Sequence, residues 1–314
     1  MTSRTSLTLT EKQAREVETY CRIARENDAL ISLRELIALV SINASEEELV
    51  EAFGRDPRLS SRFAIEAGYL IEKTPGLEKE AGRIVSAEEK SKQRARLNLE
   101  TARAFGRFLT KGTLLVSVGG ANSYLSARED EDIDYFCVTK TGHLWTFMVR
   151  GLLLARIYRM TNARVPELCF SFEMDERWAE RTFSRRQDPI FARDALTVKL
   201  IAGKSEYHRL LQEASWMKQY FPALYAMRIR ESNSGGQAAP LTVTKPRPSV
   251  LNLGLYYTVG SFLRIKSWAL NRRFAKRGLL SSEFEARIGP DVCIYESNRY
   301  RMLGRMYHEL EESG

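Results

Sequence analysis

The sequence predicts an α+β fold, in which helical segments flank a mixed sheet. Three observations support this class. Between residues 113 and 175 the chain alternates strand, glycine turn, strand, helix and strand,. The segments before and after this block carry apolar residues at helical spacing. Finally, 44% of the 314 residues are hydrophobic and 28% are charged, which is the composition of a folded protein long enough for two or three domains.

Residues 1–80 are predicted to form a helical module that ends in a hairpin. Ser32-x-x-Glu35 and Ser45-x-x-Glu48 fit capping boxes, each opening a stretch with helical apolar spacing,. A small hairpin is expected around Glu66-Ala67-Gly68,. Helices followed by a two-stranded wing resemble a winged helix-turn-helix module, which serves either to bind nucleic acid or to join proteins.

Residues 81–188 are predicted to form the α/β core, which includes most of a long connecting helix, predicted over residues 76–110, as its leading element. The first core strand, residues 113–118, ends at Gly119-Gly120. Residues 132–139 form the second strand, 144–160 an apolar helix and 168–175 the third strand.

Residues 189–314 are predicted to be helical, with helices over 192–201, 206–221, 250–276 and 292–312. The basic segment 245–277 contains eight Lys and Arg residues and no acidic residue, and the rest of the chain has as many acidic as basic residues. The net charge of +8 therefore lies in this segment and favours an anionic ligand,. We expect the apolar residues that recur at helical spacing in this segment to belong to the core; they are Leu255, Phe262, Ile265, Trp268 and Ala269.

Several function classes are excluded or disfavoured. Four widely spaced cysteines and three separate histidines give no zinc-binding pattern and make a Ser-His-Asp hydrolase improbable,. No stretch is apolar enough to span a bilayer, and the first residues have no signal-peptide core,. We therefore expect a cytoplasmic protein with no membrane partner.

One group of residues has the pattern of a catalytic or metal-binding site. Asp132-Ile133-Asp134 opens the second strand, and strand alternation places both carboxylates on one face. Paired carboxylates suit a hard divalent cation such as Mg²⁺ or Mn²⁺, and without one they would repel each other. The glycines at 119 and 120 let the backbone approach a phosphate closely.

The third strand offers a further carboxylate. Strict alternation would place Cys169, Ser171, Glu173 and Asp175 on one face,. If this strand pairs with the second, Glu173 would complete a three-carboxylate site for two metal ions. Asp175 is the alternative to Glu173.

The string VSVGGANSYLSAREDEDIDYFCVT resembles the core signature of the DNA polymerase β-type nucleotidyltransferase superfamily. Members end a strand in Gly followed by Gly or Ser and open the next strand with an acidic-hydrophobic-acidic triplet. The similarity covers residues 112–222 and is greatest to stand-alone prokaryotic members of unassigned substrate. It implies a nucleotidyltransferase-fold sheet core.

The resemblance also implies roles for individual residues. Asp132, Asp134 and Glu173 would be the catalytic, metal-binding carboxylates. Gly119 and Gly120 would match the phosphate-binding turn, with Asn122 or Ser123 replacing the serine hydroxyl that many members have at position 120. We expect Lys199 to reach the triphosphate from a helix, and we expect the acceptor or a nucleic acid to be contacted by Arg264, Lys266, Arg272 and Arg273.

The expected function is thus transfer of a nucleoside monophosphate from ATP or another NTP to a hydroxyl or phosphate of RNA, a protein or a small molecule. Pyrophosphate would be released. The alternative is a non-catalytic regulator that keeps the fold and binds nucleic acid through the winged-helix module and the basic segment.

Overall fold

A computed structural model describes residues 7–26, 29–40, 42–162, 164–186, 188–233, 249–279 and 283–312. The first part of the chain forms four helices and a small antiparallel sheet of order β1-β3-β2. The capping boxes at Ser32 and Ser45 and the hairpin across Ala67-Gly68 are all present, as predicted. The elements are α1 (Glu11–Glu26), β1 (Ile31–Ser32), α2 (Leu33–Val40), α3 (Glu46–Arg55), α4 (Pro57–Arg62), β2 (Phe63–Glu66) and β3 (Tyr69–Glu72).

The middle of the chain follows the predicted order. The connecting helix is α5, and it runs into a short 3-10 turn at Arg107–Leu109. The elements are α5 (Leu77–Gly106), β4 (Thr113–Val118), α6 (Gly120–Ser123), β5 (Ile133–Thr139), α7 (Leu144–Thr161), β6 (Leu168–Asp175) and α8 (Glu176–Arg185).

The last part of the chain contains helices and three strands that the sequence analysis did not predict. A π-turn at Tyr256–Gly260 joins α12 to α13, so that residues 250–276, here called the basic helix, form one continuous rod. The elements are α9 (Pro189–Thr197), β7 (Lys199–Ala202), α10 (Lys204–Glu213), α11 (Pro222–Asn233), α12 (Val250–Leu255), α13 (Ser261–Lys276), β8 (Phe284–Ile288), β9 (Val292–Ser297) and α14 (Asn298–Glu312).

Three helix predictions were therefore wrong in part. The helix expected over 206–221 ends at Glu213 and is followed by a 3-10 turn at Ser215–Gln219. The helix expected over 192–201 ends at Thr197, and Lys199–Ala202 pairs with β4 as an edge strand. The helix expected over 292–312 begins only at Asn298, because Val292–Ser297 pairs with β8 in a hairpin. The signal for this hairpin was Gly289-Pro290-Asp291, a turn sequence between two runs of alternating residues.

The large sheet is mixed, with the strand order β7-β4-β5-β6-β9-β8. The β5–β6 pair is parallel, and its other neighbouring pairs are antiparallel. This agrees with the predicted α+β class. Within the described residues, no helix has the length and apolar character needed to cross a membrane.

Each face of the sheet is covered by a separate core. The face bearing Asp134, Phe136 and Val138, here called the aspartate face, packs into a core that includes the N-terminal module and helices α9–α11. The opposite face bears Tyr135 and Cys137 and is called the tyrosine face. Its core receives side chains from α5, α7 and the basic helix.

The basic helix contradicts the prediction that Phe262, Ile265 and Trp268 are core residues, because all three are more than 60% exposed. Its buried side carries Asn252, Gly260 and Ser267, and Leu255, which was also predicted to be a core residue, packs against the core of the tyrosine face together with Val259 and Leu263. Lys245 and Arg247, the first two cations of the predicted basic segment, lie outside the described residues.

Candidate metal and nucleotide site

Asp132 and Asp134 lie where β5 begins, beside the end of β4. Both are half-buried. The backbone around them is fixed on two sides: Gly119 N–H donates to the Asp134 carbonyl at 2.9 Å, and Ile133 N–H donates to the Glu167 carbonyl at 2.7 Å. The predicted placement of both aspartates on one face agrees with their grouping in space, because potential ligand atoms of Asp132, Asp134 and Cys169 all lie within 4.8 Å of one another.

Cys169 enters this group because β6 runs parallel to β5 and pairs Cys169 with Asp134. Ser171 and Cys169 lie beside the Asp134 carboxylate and favour its charged form. Burial and the neighbouring carboxylates of Asp134 and Asp132 raise the pKa of the Cys169 thiol. Cys169 is therefore a neutral thiol here unless a thiophilic metal displaces its proton.

The two aspartates destabilise each other's charge. Burial, together with the negative charge of Asp132, raises the pKa of Asp134 to about 7, although Ser171 and Cys169 oppose the shift by hydrogen bonding. Burial also raises the pKa of Asp132. Two carboxylates with this environment fit a hard divalent cation, since Mg²⁺ is usually held by one or two protein carboxylates together with substrate phosphates.

The glycine turn is built against Asp134. Gly120 has φ +59°, and a Cβ placed on it would lie 2.4 Å from Asp134 Oδ2. Glycine is therefore required both by the backbone conformation and by the carboxylate beside it. Gly119 has open space around it, and its backbone N–H is already bonded to β5.

Asn122 and Ser123, predicted to contact the nucleotide, are buried and bonded within the protein. Asn122 Nδ2 donates to the Asp132 carbonyl at 2.6 Å, and its Oδ1 accepts from Asn98 of α5 at 2.9 Å. Ser123 Oγ donates to the Gly120 carbonyl at 2.8 Å. Both side chains therefore support the turn and the aspartate pair, and the structure does not present them to a ligand.

Glu173 does not join the aspartates. Tyr135 of β5 pairs with Phe170 of β6, but the next residue of β5, Phe136, pairs with Phe172. Ser171 is therefore an additional residue on β6 and forms a β-bulge,. Beyond the bulge Glu173 pairs with Cys137 and with Cys293, which places it on the tyrosine face. The prediction that Glu173 shares a face with Cys169 was therefore wrong, because strict alternation does not survive a bulge.

Glu173 is fully buried, and neither carboxylate oxygen has a hydrogen-bond partner among the described residues. Burial, and to a lesser extent the charge of Asp134, raises its pKa well above the ordinary value. The nearby backbone N–H of Phe172 favours the charged form of Glu173 and so opposes the rise in its pKa, but this N–H and the carboxylate do not have the geometry of a hydrogen bond.

Two further candidates also lie away from the aspartates. Asp175, the alternative third carboxylate, caps α8 by accepting from Trp178 N–H at 3.1 Å and accepts from Gly142 N–H at 3.3 Å. Lys199 lies on β7 and not on a helix. Its strand partner Val118 belongs to the core of the tyrosine face, and burial lowers its pKa.

The four basic residues predicted to hold the acceptor lie on the outer side of the basic helix, which covers the tyrosine face. Arg264 donates to the Ile288 carbonyl at 2.6 Å and to the Tyr256 hydroxyl, and Arg272 stacks on the Trp268 ring. Lys266 and Arg273 are exposed. The structure therefore does not bring these residues to the aspartates.

Comparison with known proteins gives no relative for this chain: no protein-family model, no curated protein and no solved structure matches it.

The thiol beside the aspartates leads to a prediction about metal preference. We expect Cys169→Ser to weaken Cd²⁺ binding by about tenfold and to leave Mg²⁺ or Mn²⁺ binding within about threefold, because thiolate ligands select soft metals. Calorimetric titration of both proteins measures the affinities, and the ultraviolet sulfur-to-cadmium charge-transfer band should appear in the wild type and be absent in the variant. A Cd²⁺ complex of unchanged affinity in the variant would show that Cys169 is not a ligand.

Proposed function

We propose that this chain is a divalent-metal-dependent nucleotidyltransferase of the DNA polymerase β type. The observation that carries the proposal is the pair Asp132 and Asp134, half-buried on one face and adjoining a strand–Gly–Gly turn whose second glycine packs against Asp134. This arrangement also explains why two like charges are kept together in a partly buried place.

Each part of the site has a separate task in this proposal. Asp132 and Asp134 would hold the cation, which when bound would neutralise triphosphate charge and activate the attacking oxygen. The bond from Asn122 to the Asp132 carbonyl fixes the start of β5, and Ser171 favours the charged form of the Asp134 carboxylate. The turn at Gly120 leaves room for the triphosphate beside that carboxylate.

The proposed reaction is an in-line displacement at the α-phosphorus of an NTP. An acceptor oxygen forms the new P–O bond, the bond to the β-phosphate oxygen breaks, and pyrophosphate leaves. The acceptor proton passes to solvent in this proposal, and Glu173, predicted to be the third catalytic carboxylate, takes no part because it faces the other side of the sheet. The acceptor stays open among RNA, proteins and small molecules.

One observation favours the alternative of a non-catalytic, nucleic-acid-binding regulator. Cys169 occupies the position beside Asp134 where a third carboxylate was expected. The N-terminal elements also follow the order of a winged helix, with the sheet order β1-β3-β2. However, α3 exposes Glu46, Glu47 and Glu51, and acidic side chains there would repel a phosphate backbone.

Incubation with each α-³²P-labelled NTP and Mg²⁺ or Mn²⁺ tests the proposal, with total RNA, a protein lysate and the protein alone as acceptors. We expect label in one acceptor class, lost in Asp132→Asn/Asp134→Asn and retained in Asp130→Asn, an exposed acid of the preceding loop. Transfer that persists in the double variant would refute the assignment. Metal-independent DNA binding that survives Asp134→Ala, with no transfer, would instead support the regulator.

A further inference from the structure

The basic helix presents an uncovered apolar surface to solvent. Seven large apolar side chains on it are between 44% and 87% exposed. They are Val250, Leu251, Leu253, Tyr257, Phe262, Ile265 and Trp268. The 27-residue rod is about 40 Å long, so these side chains form an extended stripe.

The π-turn keeps this stripe on one side of the helix. Apart from Leu251, its members follow one another at three or four residues until Tyr257 and Phe262, which are five apart. This spacing would turn Phe262 away in a regular α-helix. The wider π-turn at Tyr256–Gly260 absorbs the additional residue,. On the opposite, buried side of the π-turn, a Cβ on Gly260 would lie 3.1 Å from the Trp145 ring. The glycine in this turn therefore also lets the helix pack closely against Trp145.

The helix is firmly held, so its exposed face is a fixed feature of the surface. Asn252 Oδ1 accepts the backbone N–H groups of Trp145 at 2.7 Å and Thr146 at 3.2 Å. At the other end Asn271 donates to the Phe284 carbonyl at 2.6 Å and accepts its N–H at 3.1 Å.

The neighbouring helix α7 has the same character. It packs against α12 and the π-turn and exposes Leu152, Leu153, Ile157 and Met160. A recess of about 510 Å³ on α7 is lined by Leu152 and Met160 together with Arg156 and Arg159, and also by Ala155, Glu167 and Leu168. Eleven of the seventeen large apolar side chains exposed in the described part of the chain lie on these two helices.

The charged residues of α7 and of the basic helix are all basic. Neither α7 nor the basic helix contains an acidic residue. Their eight cations are Arg150, Arg156, Arg159, Arg264, Lys266, Arg272, Arg273 and Lys276.

We propose that the outer face of the basic helix, together with that of α7, docks on an anionic phospholipid surface. A helix with apolar and aromatic residues on one side, flanked by cations, lies in the membrane interface while Lys and Arg reach the headgroups. Val250, Leu251 and Ile265 have no ring to stack on bases, which disfavours single-stranded nucleic acid. A second copy meeting on the same face would oppose cations to cations.

This proposal replaces the expectation of no membrane partner. That expectation followed from the absence of an apolar span, and from the sequence alone a basic amphipathic helix lying on a membrane was only a minor alternative to an anionic ligand for this segment. The site formed by Asp132 and Asp134 is on the other face of the sheet, so docking and catalysis can be tested separately.

Trp268 provides the measurement. It is 62% exposed, whereas Trp145 and Trp216 are buried and Trp178 is half-buried. We expect vesicles containing phosphatidylglycerol to shift the emission to the blue and to bind the protein about tenfold more tightly than phosphatidylcholine vesicles, with affinity falling as salt rises. In Trp268→Phe the shift should disappear.

Flotation of variants with the same vesicles tests whether this surface, and not another part of the molecule, binds the lipid. Because Phe262 and Ile265 are exposed, Phe262→Ser/Ile265→Ser should fold normally and lose binding by about tenfold or more. Arg272→Glu/Arg273→Glu should do the same, and Met227→Ser, exposed elsewhere, should not. Vesicle binding that is unchanged in both double variants would overturn the proposal. It would also be overturned if the wild type does not bind vesicles but forms a stable dimer, or binds RNA tightly, through a contact that Phe262→Ser/Ile265→Ser abolishes.

Discussion

Replacing Glu173 with Met is expected to raise the free energy of unfolding by about 1–3 kcal/mol. A buried polar group without a hydrogen bond costs free energy of this size in proteins. Met has a similar unbranched shape and can pack between Cys137 and Cys293, the strand partners of Glu173,. Chemical denaturation of wild type and variant measures the difference.

Glu88 provides the matched control. It is also a buried glutamate, but its Oε2 accepts the backbone N–H of Leu30 at 3.2 Å. Glu88→Met therefore leaves a donor without its partner, and we expect it to destabilise the protein. If Glu173→Met destabilises as much as Glu88→Met, the carboxylate of Glu173 has a partner in solution.

The gain from Glu173→Met should grow with pH. Because burial raises the Glu173 pKa above its ordinary value of 4.5, the folded protein keeps this proton at pH values where the unfolded chain has lost it. The stability of the wild type therefore falls as pH rises from the unfolded pKa through the folded one, and the variant lacks this loss. Denaturation at about pH 5.5 and about pH 8 measures the slope.

The same variant separates two interpretations of the site. If Glu173 were the third catalytic carboxylate, Glu173→Met would abolish transfer. Its position on the tyrosine face instead predicts a stable and active variant. A stabilised protein with no transfer would mean that β6 changes register during the reaction.

The contrast between Glu173 and Asp134 shows what the sequence could predict. The position of Asp132 and Asp134 follows from local alternation at the start of a strand, and the helix starts at Ser32 and Ser45 follow from caps within four residues. The bulge at Ser171 depends on how β6 fits β5, and no residue in LCFSFEMD marks it. One additional residue was enough to move Glu173 to the opposite face.

The sequence pattern also could not predict which face of the basic helix is exposed. Phe262, Ile265 and Trp268 have the spacing of a core stripe, but the face that meets the protein carries Asn252, Gly260 and Ser267 beside the partly buried Leu255, Val259 and Leu263. Small and polar residues are buried there because Gly260 must fit the Trp145 ring and Asn252 must accept the first N–H groups of α7. Periodicity shows that a helix has two faces, but it does not show which of them meets the protein.

The glycine turn gives the strongest functional test, because Gly119 and Gly120 are adjacent but differ in backbone conformation and in surroundings. Gly120→Ala puts a methyl group 2.4 Å from Asp134 Oδ2 and holds alanine at φ +59°. The carboxylate must move, and a displacement of about 1 Å is enough to cost about 100-fold in rate. We expect Mn²⁺ binding, followed by paramagnetic resonance, to be lost together with nucleotide transfer.

Gly119→Ala is the matched variant. Its φ is −105°, and a Cβ there meets nothing within 4 Å, so the fold and Mn²⁺ binding should be unchanged. Any effect of this methyl group would fall on nucleotide affinity alone, through the approach of phosphate to the turn. If both variants bind Mn²⁺ like the wild type, Asp134 is not positioned by Gly120. If both lose it, the turn as a whole, and not the contact with Asp134, controls the site.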